Sequence, residues 1–160
     1  MGLHLKQGRS CGDCTACCTV LEVPEIAKQK YTPCANVCAA GCAIHSMRPT
    51  SCRTWNCAWL SGLFRQRDRP DKSGVIAWPT TKMDQTLIVV LTGGGPLSSA
   101  PIRMQKALLK LCKSGWNLVE MSEGGERVEL FHAPGRKREN LGNLEGLITP
   151  QALETSNQRR

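Results

Sequence analysis

Nine cysteines stand between positions 11 and 57, and the tenth, Cys112, lies alone in the second half of the chain. A segment so dense in thiols and so short of periodic apolar faces is expected to take its shape from what the sulfurs do. Disulfides, a redox dithiol and metal ligation are the three uses of such thiols. The opening MGLHLKQGRS has no apolar core of a signal segment, and no run approaches the roughly 20 apolar residues of a membrane span. The expected location is therefore the cytoplasm, whose reducing poise disfavours structural disulfides. A thioredoxin-like reading of Cys11-Gly12-Asp13-Cys14 lacks the strand that should precede it, and other thiols crowd the site. Metal or cluster ligation is the reading the spacing favours.

Cys11, Cys14 and Cys17 are spaced C-x2-C-x2-C, the opening that bacterial ferredoxins use to wrap one cluster. Cys18 follows at once, so a fourth ligand has to come from far along the chain. Cys34, Cys38, Cys42, Cys52 and Cys57 supply candidates. Nine thiols exceed one four-ligand site and nearly fill two, which leaves Cys18 as a ligand of a second site or a spare. His45, three residues after Cys42, is a further candidate for zinc. Arg48 and Arg53 flank Cys52 and are expected to stabilise cluster charge. The expected cofactor is one or two iron–sulfur clusters of the [4Fe–4S] type, with Zn²⁺ as the alternative, because all-thiolate ligation suits both.

"CGDCTACC" followed by "CAIHSMRPTSCRTWNCAWL" resembles the CxxCxxCC cysteine-cluster proteins, the YkgJ family or zinc- or iron-chelating domain. The pattern falls on Cys11, Cys14, Cys17 and Cys18, then on Cys42, Ile44, Arg48, Pro49, Cys52 and Arg53. It covers about residues 11–60; His45 stands where the family usually has Tyr, and the Cys34/Cys38 spacing is looser. The resemblance implies an iron–sulfur or zinc centre. One branch of the family, the flagellin lysine methylases, is enzymatic.

The formal charge is +8. Ligating thiolates would offset part of it, and aromatic and basic residues do not interleave as on a base-stacking platform. Nucleic acid is therefore not the expected partner; a protein or redox partner is, with no membrane. "GVIAWP" and "TLIVVLT" read as strands, and "APIRMQKALLKLCKSG" as a helix capped by Ser98 or Ser99 with Cys112 on its apolar face. "WNLVEM" and "ERVELFH" read as a hairpin around Glu123-Gly124-Gly125. A short helix is expected at Pro24, and another from Trp55 to Phe64. The three glycines at 93–95 read as a strand-to-helix turn needing positive φ.

The expected fold is α+β: a loop-rich, cysteine-stapled N-terminal region over residues 1–64, a linker at 65–74, and a small α+β region at 75–133. That region is a largely antiparallel sheet in ββαββ order with one covering helix, and a poorly ordered tail follows at 134–160. The expected function is non-enzymatic: an iron–sulfur protein in a structural, electron-transfer or redox-sensing role. The alternatives are a zinc-stapled interaction module and a metal-dependent protein-modifying enzyme of the methylase type.

Overall fold

The computed structural model describes residues 4–81 and 83–121, together with the backbone of the strand 128–131. The chain has mixed α and β content. Its main sheet has four strands in the order β3 (Val75–Pro79), β4 (Thr86–Leu91), β5 (Asn117–Met121) and β6 (Val128–Phe131). β3 pairs antiparallel with β4, from Val75 opposite Leu91 to Pro79 opposite Leu87. β5 and β6 are also antiparallel. The central pair, β4 with β5, is parallel, with Thr86 opposite Asn117. The reason is connective: the helix α4 (Ile102–Lys113) intervenes, and a crossover returns the chain in the same direction.

β3 and β4 read as nearly continuous apolar runs because they are buried on both faces, and β5 buries Asn117 and Glu120 among apolar residues. Every residue of Asn117–Met121 is buried, and so are the first five of Thr86–Leu91. From α4 come Met104, Leu108 and Cys112, spaced by four, as their shared face in sequence suggests. The cysteine-rich half adds Ala16, Val20, Leu21, Cys57, Ala58, Trp59, Leu60 and Phe64 to the same core. That half is thus ordered partly by apolar burial, delivered from turns rather than from periodic elements. Ala58 is tied to the sheet edge directly, its N–H donating to Ala77 O at 2.7 Å.

Two expected helices differ from the structure. Residues 55–64 form turns, and the regular element nearby is the short α2 (Thr50–Thr54). Trp59, Leu60 and Phe64 recur at helical spacing because each turn folds back on the core; Gly62, at φ +89°, lies in the left-handed region that interrupts a helix. At α4 neither Ser98 nor Ser99 caps. They belong to a 3-10 turn, Leu97–Ser99, and Pro101 stands at the cap, with Gln105 Nε2 donating to Ser98 O and Ala100 O. Gly94 and Gly95 do take positive φ, +77° and +87°.

The stretch 65–74 carries a 3-10 turn, Gln66–Asp68, and a one-turn α3 (Pro70–Ser73), with Asp68, Pro70 and Ser73 buried. The expected turn at Glu123–Gly125 and the tail at 134–160 lie outside the described residues. No helix among the described residues is long and apolar enough to cross a membrane.

Candidate metal centre

The thiols sit on short pieces of structure. Cys14 N–H closes a turn onto Cys11 O at 3.0 Å, with Gly12 at φ +55° between them. Cys17 and Cys18 lie on α1 (Ala16–Val20), a single turn. Pro24 does start a helical turn, the 3-10 Pro24–Ile26. Cys34 N–H donates to Cys18 O at 3.0 Å, which fastens the second cysteine segment to the first. Cys38 and Cys42 belong to a two-residue ribbon, β1 (Val37–Cys38) and β2 (Gly41–Cys42). A Cβ on Gly41 would stand 3.0 Å from Gly12 O and 3.1 Å from Asp13 Cα, so the ribbon presses against the Cys11–Cys14 turn. Arg69 holds the other side of that turn: Nη2 pairs with Asp13 at 2.7 Å, and Nε with Asp71 at 2.6 Å.

Electrostatic coupling links eight of the thiols, with Cys17 and Cys18 at the junction. Burial pushes the Cys11 thiol up, opposed by the Arg48 guanidinium and helped by the charge of Cys18. Burial also raises Cys14, against N–H donors from Ala16 and Asp71. Cys57 is pushed up to about 11 by burial, against the N–H groups of Leu60 and Trp59, and it feels Cys11 and Cys14. Cys17 is raised well above an ordinary thiol by the hydrogen bond it gives Cys18, then by burial and by the charge of Cys18, Cys11 and Cys14. Burial also raises Cys52, helped by the charge of Cys18, Glu25, Cys34 and Cys42. Cys18 is lowered by the hydrogen bond from Cys17, with Lys28 contributing.

Lys28 is the residue that motif reading missed. It is buried, its ammonium donating to Thr19 O at 2.8 Å and to Leu21 O. Burial lowers its pKa, while the charges of Cys34, Cys18, Cys17 and Cys52 oppose that shift. Among the described residues no carboxylate pairs with it. Its two carbonyl partners satisfy the buried nitrogen, and the neighbouring thiols favour its charged form.

Among the other expected residues, Arg48 lies in the field of Cys11 and hydrogen-bonds His45, whose side chain is exposed. Arg53 is exposed and donates to Thr50 Oγ1 at 3.1 Å. Cys38 is exposed, and Cys112 is buried in the core as its apolar stripe suggests. All ten cysteines are free thiols. Among the described residues no three Cys, His, Asp or Glu side chains converge closely enough to hold a metal ion. The donors are thiols, the type a thiolate-bound centre uses, with Arg48 and Lys28 as nearby positive charge; the sulfurs are set apart. Comparison with models of protein families, with curated proteins and with solved structures finds no match to this chain.

Proposed function

We propose that this is an iron–sulfur protein of the CxxCxxCC type, with a non-enzymatic role in the cytoplasm. Cys11, Cys14, Cys17 and Cys57 would hold a [4Fe–4S] cluster, and Cys18, Cys34, Cys42 and Cys52 would form a second thiolate centre. The observation that carries this reading is that eight thiols spread from Cys11 to Cys57 lie close enough in the fold to feel one another's charge, none in a disulfide. Bound there, a cluster supplies one-electron transfer and a cross-link between distant segments.

The chain's own residues do the rest. N–H groups of Ala16 and Asp71 at Cys14, and of Leu60 and Trp59 at Cys57, favour the deprotonated sulfur. Arg48 and Lys28 bring positive charge to Cys11 and Cys18 respectively. Ligation has to draw each group's sulfurs inward, which the short segments of two to five residues that carry them would have to accommodate. Four thiols apiece also suit Zn²⁺, so either group could be a closed zinc site.

Protein purified without air should be brown, with a charge-transfer band near about 400 nm. Cys14→Ser should abolish or sharply reduce that band, and Cys38→Ser should leave it intact. A colourless folded protein holding zinc at both groups would replace iron by zinc in this account. Equal loss in both variants would break the assignment of ligands.

A further inference from the structure

The fold builds a second feature, well apart in chemistry from the thiols. A groove of about 870 Å³ runs between the N-terminal segment, the 62–68 turn and α4. Seven cationic side chains line it, against one carboxylate, Asp68. Asp68 is buried and already taken by Arg103, whose Nε lies 3.2 Å away. Arg9 is also committed: its guanidinium donates to Phe64 O at 2.8 Å and to Trp59 O, and lies 4.8 Å from the Trp59 ring centre.

Five cations remain, Lys6, Arg65, Arg67, Lys106 and Lys110. All are exposed, and none pairs with a carboxylate among the described residues. Lys106 and Lys110 stand one turn apart on α4, where like charges repel unless an anion lies between them. Arg65 and Arg67 line the same groove from the 62–68 turn. No cysteine lines the groove, so thiolate charge does not occupy it. Its one aromatic, Phe64, is buried, so bases have nothing to stack on.

Cations from the 62–68 turn and from α4, a volume beyond a single phosphate, and no stacking surface suit a chain of phosphates. We propose that the groove binds the phosphodiester backbone of a nucleic-acid strand without sequence preference, through Lys6, Arg65, Arg67, Lys106 and Lys110. Arginine contributes forked donors and lysine mobile point charges, a mixture suited to phosphates at variable spacing. The inference is independent of which metal, if any, the cysteines hold.

The test is fluorescence anisotropy of the full chain, as purified, with a labelled oligonucleotide of about 12 residues, titrated from about 50 to 200 mM salt. With four or five phosphates engaged, log K should fall against log salt with a slope of about −3. Lys106→Glu with Lys110→Glu should weaken binding at least about tenfold and flatten the slope. Arg65→Glu with Arg67→Glu, on the 62–68 turn, should do the same, which guards against one pair failing to fold. Lys113→Glu, outside the groove, should change affinity less than about threefold. No binding at low salt would overturn the proposal, as would loss equal to that of Lys113→Glu. Tighter binding of poly-glutamate would reassign the groove to an acidic protein, and equally tight ATP would reassign it to a single nucleotide; both overturn it.

Discussion

Gly41 shows how much a single position decides near the thiols. At φ +112° it occupies backbone that side-chain-bearing residues avoid, and its missing Cβ leaves room for Gly12 O and Asp13 Cα. Gly41→Ala should therefore cost about 1–3 kcal/mol of stability, read from urea unfolding, and should also lower the fraction of protein carrying metal. Arg69 is a second such position. Its hydrogen bonds, and then its charge, hold the Asp71 carboxyl below the ordinary 3.8. A carboxyl depressed by folding stabilises above its unfolded value and loses that contribution as pH falls through the folded one. Arg69→Gln should be less stable than the parent by about 0.5–1 kcal/mol at pH 7, the scale of partly exposed ion pairs. That gap, measured by urea unfolding, should persist to about pH 5 and shrink toward pH 3. Neither role was legible beforehand. Gly41 signals only that a helix through Cys34, Cys38 and Cys42 is doubtful, and the Arg69–Asp13 pair joins residues with no motif in common.

At the scale of elements, the second half was the readable part. Val75–Pro79, Thr86–Leu91 and Ile102–Lys113 follow from apolar runs and from Met104, Leu108 and Cys112 at helical spacing. Its order, two strands, a helix and two strands, is the expected one. What patterns missed were local contests: Pro101 displacing Ser98 and Ser99 from the cap, and Gly62 breaking a helix that Trp59 and Leu63 suggest. The energetic corollary is direct. Leu87 has no exposure, so Leu87→Ala should cost about 2–5 kcal/mol in urea unfolding. Leu109 is 55% exposed on α4, and Leu109→Ala should stay within about 0.5 kcal/mol. Equal effects would mean that the sheet and α4 do not form the core described.

Across the whole molecule, two kinds of order meet in one core. Ala16, Val20 and Trp59 from the cysteine-rich half are buried with Ile76, Val89 and Val119 of the sheet. The grouping of thiols was partly legible, because C-x2-C-x2-C announces a shared centre and forces a distant partner. That Cys57 lies near Cys11 and Cys14 is a matter of tertiary fold, since the turns that follow α2 bring it there. The cationic groove is the extreme case: its unpaired charges run from Lys6 to Lys110 and leave no local signature. The claim on which the rest leans is that thiolates of the first half bind an inorganic centre. Iron, zinc and acid-labile sulfide should be counted per chain in protein kept free of air. One cluster predicts about four iron and four sulfide per chain. A fully folded protein with no iron, sulfide or zinc would contradict the account.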